Sequence, residues 1–187
     1  MSGEDRSWSP AVRPAAELEA PPLLLRRWRV DDLLELEREL EHSREHLAQW
    51  LSWAPAADRA SLAAFLLASE AAFAARTDFG YALQDAAGAI VGGAGLHARL
   101  GPGALEIGYW VGVDHIGRGY ATAAARALTA AALTLDDVDR VEIHCDQGNV
   151  RSAAVPRKLS YRLDRVEPDE RRAPGETGRS MFWVVER

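Results

Sequence analysis

Cysteine occurs once among the 187 residues, at Cys145, which excludes an internal disulfide and a cysteine-built zinc cluster. Lysine is as scarce: Lys158 is the only one among 22 basic residues, so arginine carries the positive charge, first of all a matter of genome composition. No apolar run approaches the length of about 18 residues that crosses a membrane. The opening MSGEDRSWSP lacks the apolar stretch of a secretory signal, and a cytoplasmic location is the expectation. A basic surplus is also missing. The 22 basic and 28 acidic residues leave a net charge of −6, which disfavours a nucleic-acid partner and weakly favours a cationic one. Hydrophobic residues make up 48% and charged residues 27%, the balance of a globular domain.

Residues 1–20 mix Pro, Ser, Glu and Ala without periodicity and are expected to form a flexible tail before a single domain over 21–187. LLLRRW, 23–28, reads as a strand. Residues 29–51 follow as a helix with Asp31 or Asp32 as N-cap and Leu33, Leu34, Leu36, Leu40 and Leu47 on one face. Pro55 ends that region, and 58–76 form a second helix with Leu62, Phe65, Leu66, Ala72 and Phe73 near one side. A three-strand meander over 80–85, 89–100 and 104–113 comes next, punctuated by AAG and GPG turns. After a glycine turn a helix runs to about Leu135, then a strand over 140–147 and a short helix capped by Asn149. Two strands, 161–168 and 180–187, close the chain around a polar loop. Helices set between strands of a mixed sheet indicate an α/β or α+β fold, and the meander disfavours a fully alternating parallel one.

The junction LEIGYWVGV (105–113) to HIGRGYATAAARALTAAAL (115–133) carries the chemistry. Gly117 and Gly119 sit in a turn that opens a helix at Ala121. The first N–H groups of a helix have no carbonyl to bond, and with the positive end of the helix dipole they suit a pyrophosphate. Small residues let such a ligand approach the backbone. A glycine turn alone also fits plain tight packing. A dinucleotide-binding GxGxxG belongs after the first strand of a βαβ unit, whereas this turn follows a meander and lacks the third glycine.

The element order, EIGYWV (106–111), the turn Ile116-Gly117-Arg118-Gly119-Tyr120-Ala121, the string Asn149-Val150-Arg151-Ser152 with Val155, Lys158 and Leu159, and the pair Trp50 and Trp53 together resemble the GNAT acetyltransferases. Within them the chain is similar to the RimJ/RimL-like branch that acetylates ribosomal-protein N-termini. The resemblance covers roughly residues 22–187. It implies a mixed, mostly antiparallel sheet of about seven strands flanked by four helices, with acetyl-CoA as co-substrate and no metal. It places Val111, Val113, Ile116, Gly117, Arg118, Gly119, Tyr120, Ala121, Thr122, Asn149 and Ser152 at the cofactor, with charge from Arg118 and Arg126. The pantetheine arm would add itself to the strand edge over 107–113, and a backbone N–H near Val111 would polarise the thioester carbonyl. Trp50, Trp53 and Tyr109 would line the acceptor site.

Three positions depart from the family pattern. Ile116 replaces a Gln or Arg, Ser160-Tyr161 replaces Gly-Phe, and Pro156 stands where many members carry a thiolate-protonating tyrosine. Proline lacks the N–H that continues a helix and is expected to kink or shorten this one. The acid role then falls to Ser152, three residues after Asn149.

Glu106 is the candidate base, with burial expected to lift its pKa toward neutrality, or else a salt-bridged strand carboxylate. His97, His115 and His144 are alternative bases. His42 and His46 have helical spacing but lie on a polar face and read as solvated, and Cys145 reads as buried and inert. Trp28 and Phe73 read as core. The expected activity is direct acetyl transfer to a primary amine, of a peptide N-terminus or a small molecule, by a monomer or homodimer. A non-catalytic acyl-CoA-binding module is the remaining alternative.

Overall fold

The computed structural model describes residues 10–187. They form one eight-stranded sheet in the order β1 (Glu17–Ala20), β2 (Leu23–Arg27), β3 (Asp78–Gln84), β4 (Ile90–His97), β5 (Gly103–Val111), β6 (Val138–Asp146), β8 (Arg179–Glu186), β7 (Arg162–Pro168). Neighbours pair antiparallel except β5 and β6, which are parallel. The helices are α1 (Leu33–Ala48), α2 (Arg59–Ala75), α3 (Tyr120–Leu133) and α4 (Val150–Lys158). This is the expected mixed, mostly antiparallel α/β arrangement, with one strand more than the seven anticipated.

The added strand corrects the expectation of a tail over 1–20. Glu17–Ala20 pairs with Leu23–Arg26, and just before it the carbonyls of Ala15 and Ala16 accept bonds from the Tyr81 hydroxyl and the Arg27 N–H. Residues 1–9 of that expected tail lie outside the described residues. ELEA has no strand-forming side chains, so its conformation comes from the neighbouring strand rather than from local preference.

Alternation along the strands sends successive side chains to opposite faces. On one face Leu36, Leu40 and Leu47 of α1 and Leu62 and Leu66 of α2 bury against Trp28, Ala82 and Ile90. On the other, Ala124, Ala125, Leu128 and Ala132 of α3 pack on Leu105, Ile107, Val141 and Ile143. Alanine at those helix positions lets α3 approach the sheet closely. Phe65, expected on the buried side of α2, is instead 43% exposed and meets Trp28 edge-on. Trp28 and Phe73 are core residues as read.

Asp58 caps α2 through a reciprocal pair with Ser61. Asp32 stands at the N-cap of α1 but does not cap it with its side chain. A three-residue 3-10 turn over Val30–Asp32 precedes the helix, and the Asp32 carboxylate accepts from the Arg29 N–H and from both terminal nitrogens of Arg26 at 2.8 Å. Both partners are buried, at 7% and 6% exposure. Removing one member of such a pair strands the other's charge, so Asp32→Ala is expected to cost about 3–5 kcal/mol, read by chemical denaturation.

Candidate active site

Pairing between β5 and β6 runs to Ile107↔Ile143 and stops, although β5 continues to Val111 and β6 to Asp146. β4 stays paired with β5 as far as Val111. The Gly112 N–H donates to the Val91 carbonyl on the β4 side. Strand alternation therefore turns the N–H and C=O groups of Tyr109 and Val111 toward the gap that β6 has left. The free edge is shorter than the expected 107–113. Val113 is not part of it, because its N–H donates at 2.9 Å to Oγ of the buried Ser43, which in turn donates to Glu39.

The glycine turn stands at the end of this edge. Gly117 and Gly119 have φ of 76° and 81°, where a side chain would be strained. Gly119 is the N-cap of α3 and offers no capping side chain, and the first helical carbonyl reached is its own, by the Ala123 N–H at 2.9 Å. The N–H groups of Tyr120, Ala121 and Thr122 thus remain for an anion. Arg118 spends its guanidinium on the Asp114 carbonyl at 2.9 Å, and Arg126 is exposed and outside the cleft lining. The cationic lining comes instead from Arg151 and Lys158 of α4. Both belong to the string that carries the resemblance, but their place in the cleft does not follow from the sequence, because the helix face that meets the cleft is set by tertiary packing.

A cleft of about 560 Å³ joins the turn to the C-terminal end of α1. Ile116, Gly117, Gly119, Tyr120, Ala121 and Thr122 line the first end. His46, Leu47, Trp50 and Leu51 line the second. The loop 169–178 packs behind that second end, against Gln49 and Trp50. The Asp146 carboxylate accepts the N–H groups of Gly148, Thr177 and Gly178 at 2.7–3.0 Å, and the Gly175 N–H donates to the Gln49 carbonyl at 2.9 Å. A Cβ on Gly175 would stand 3.1 Å from the Trp50 ring, so the loop holds Trp50 as a wall. Trp53 is not in the lining; it is 44% exposed and meets Trp110, which is, edge-on at 6.5 Å.

His46 corrects the expectation of a solvated pair. Desolvation, then the Arg151 charge, push its pKa below the ordinary value and favour a neutral ring. His42 is exposed and bonds Asp114 at 2.8 Å. His115 lines the cleft and stacks on Tyr120, with centroids 6.4 Å apart.

In α4 the Asn149 side chain accepts the Ser152 N–H at 3.0 Å, the expected N-cap. Helix α4 continues through Pro156 to Lys158. An ordinary residue at 156 would donate to the Ser152 carbonyl four residues back, and proline leaves that carbonyl open. The Tyr109 hydroxyl takes it at 3.1 Å and lies 3.0 Å from Ser152 Oγ. Burial pushes the Tyr109 phenol well above its ordinary pKa, so it stays protonated. Ser152 and Tyr109 thus form a hydroxyl pair on the cleft wall. Cys145 behind them is half-buried rather than fully buried, and burial pushes its thiol up, which keeps it unreactive.

Glu106 departs from its expected role. It is 8% exposed, outside the cleft lining, and bound at both oxygens by Arg99 at 2.7 and 2.5 Å, with His144 Nδ1 3.6 Å away. Burial pulls its pKa up, but the Arg99 hydrogen bond and the charges of His144, Arg99 and His97 outweigh burial and hold it below the ordinary 4.5. The lift toward neutrality that an amine base needs is absent. A depressed carboxylate stabilises the fold above its unfolded-state pKa and loses that contribution as pH falls through its folded value. The stability gap between wild type and Glu106→Gln is therefore expected to close as pH falls below the ordinary 4.5, measured by denaturation.

A family profile described as the acetyltransferase (GNAT) domain matches residues 22–162. YdaF of Bacillus subtilis (strain 168), named provisionally as a ribosomal N-acetyltransferase, is 39% identical over 56 residues, which span 30% of this chain and 31% of that protein. RimL, the ribosomal L7/L12 alpha-N-protein acetyltransferase, solved in complex with coenzyme A, has a TM-score of 0.83 at 18% identity over 91% of this chain and 97% of its own. The microcin C7 self-immunity acetyltransferase MccE, solved with acetyl-CoA and AMP, gives 0.80 at 17% identity over 89% and 93%. At these identities the two structures establish the shared fold.

The chain belongs to the GNAT acetyltransferase family, whose members are acyl-CoA-dependent N-acetyltransferases. Acetyl-CoA is the co-substrate, and the uncapped turn beside a free strand edge is the geometry that a pyrophosphate with a pantetheine arm requires. Gly119→Glu, which adds negative charge at that turn, is expected to abolish acetyl-CoA binding in calorimetry; nothing lies within 4 Å of its Cβ, so the folding cost is limited to about 1–2 kcal/mol for the positive φ, a few degrees of melting temperature.

Proposed function

We propose that the protein transfers the acetyl group of acetyl-CoA to the α-amine of a protein or peptide N-terminus. The observation that carries this reading is the composition of the cleft: it runs from the anion-binding turn to the α1 end, and no Asp or Glu lines it among the described residues. A polyamine or aminosugar carries several positive charges and would leave them unpaired there, whereas a chain terminus brings one ammonium and a backbone that can extend outward. The similarity in fold to RimL, an alpha-N-protein acetyltransferase, agrees with this choice.

The donor lies along Tyr109–Val111 with its pyrophosphate at Tyr120–Thr122, and Arg151 and Lys158 add charge. The Val111 N–H polarises the thioester carbonyl. Trp50 and Trp110 wall the acceptor. Ser152, paired with Tyr109, protonates the departing thiolate. A cytoplasmic location, a monomer or homodimer and no nucleic-acid partner accompany this reading. Among the described residues no helix is long and apolar enough to cross a membrane.

Thiol release from acetyl-CoA is the test, scored with peptides of varied N-termini against small mono- and polyamines. Peptides with a free α-amine are expected to turn over, and the same peptides blocked at the N-terminus are not. Preference for a polyamine would overturn the acceptor assignment. Tyr109→Phe with Ser152→Ala is expected to lower kcat by about 10²- to 10⁴-fold, the usual worth of a general acid.

A further inference from the structure

The sheet face opposite α3 carries a row of ionisable residues that the register places side by side: Asp78 on β3, His97 on β4, Glu106 on β5 and Glu142 on β6. His144 stands two residues beyond Glu142, and Arg99 and Arg140 reach in from the flanks. Almost every polar atom in this row is committed. Arg99 holds both oxygens of Glu106. His144 faces Glu142 at 2.6 Å through Nε2 and Glu106 at 3.6 Å through Nδ1. His97 is different. Its Nδ1 is 2.6 Å from Asp78 Oδ2, and no partner is recorded for its Nε2 among the described residues. An ionised carboxylate only accepts, so Nδ1 carries the proton toward Asp78 and Nε2 presents a lone pair.

The ring is aimed by two glycines. Gly95 and Gly108 are cross-strand partners on this face. A Cβ on Gly95 would lie 3.0 Å from His97 Cε1, and one on Gly108 would lie 3.0 Å from Nε2. The imidazole therefore lies over bare backbone that any side chain would occupy, with Nε2 above Gly108. The next residue of β5 on the same face is Trp110, which lines the cleft. Between them is Tyr109, the start of the free edge. His97, like Glu106, is outside the cleft lining, but its side chain is 24% exposed, so water can carry a proton to it from the Trp110 end of the cleft.

We propose that His97, oriented by Asp78, is the base that takes a proton from the acceptor amine. The inference rests on the acetyl-transfer reading above. The acceptor arrives as an ammonium and gives one proton, through water, to Nε2. The freed nitrogen attacks the thioester carbonyl, the C–N bond forms, and the C–S bond breaks. The nitrogen loses a second proton as the amide forms, which restores the hydroxyl pair after it has protonated the CoA thiolate. His97 then returns its own proton to solvent, so that an amide, a thiol and one proton leave the site. Glu106, held by Arg99, keeps the row in register and receives no proton.

The test uses the full chain, acetyl-CoA and the best amine acceptor from the thiol-release screen. His97→Gln is expected to lower kcat by about 10²- to 10⁴-fold and to abolish the fall in rate at acid pH. Its acetyl-CoA affinity by calorimetry stays within about twofold of wild type, which also reports that it folds. Asp78→Asn lowers kcat with the same unchanged affinity, and added imidazole restores part of the rate of His97→Gly. The charged and titratable groups around His97 are Asp78, Glu106 and Arg99, with His144 beyond Glu106, so the profile is also measured in Glu106→Gln, where the acid limb is expected to persist. An active wild type with His97→Gln unchanged in kcat and pH profile overturns the base alone. A wild type that binds acetyl-CoA yet acetylates no amine overturns the acetyl-transfer reading together with the base.

Discussion

Everything in the site depends on one interrupted ladder. β5 and β6 are the parallel pair of the sheet, and their bonding ends at Ile107 and Ile143. A backbone donor or acceptor left without a partner in a protein interior is costly, so a gap of this kind persists only where water or a ligand supplies the missing bonds. The antiparallel strand β4 keeps β5 straight through Val111, so the edge stays extended after its other partner has left. The same separation opens a passage between the two sheet faces. α3 and α4 bring the anion-binding turn and the hydroxyl pair from one side, and the end of α1 brings the aromatic wall from the other.

Two departures from the family pattern acquire meaning in this frame. Pro156 costs α4 one hydrogen bond but exposes the Ser152 carbonyl to Tyr109, which ties β5 to α4 across the gap at 3.1 Å. Ile116 adds no charge to the turn, whose Arg118 is spent on the Asp114 carbonyl, and the lining charges lie on α4, at Arg151 and Lys158.

What was legible in the sequence was local. The glycine turn, the helix that follows it and the Asn149 cap follow from spacing over a few residues, and each stands where the sequence places it. What was not legible depends on neighbours distant along the chain. β1 is a strand because β2 lies beside it. Asp32 looks like a cap, yet it answers Arg26. Glu106 has the right place on its strand for a base, but Arg99, across the GPG turn, decides its ionisation. The posture of His97 is set by Gly95 and by Gly108 on the next strand, a relation that no periodicity in either segment shows.

Lys158 is also a chemical reporter on the site. It is the only lysine in the chain, and it lines the cleft. A protein that handles activated acetyl groups is exposed to slow acetylation of its own side chains, and this one offers a single lysine amine for that chemistry. Any acetyl-lysine on the protein must therefore be at Lys158, so one mass measurement on the intact chain, after allowance for the terminal amine, reports the chemical state of its own cleft.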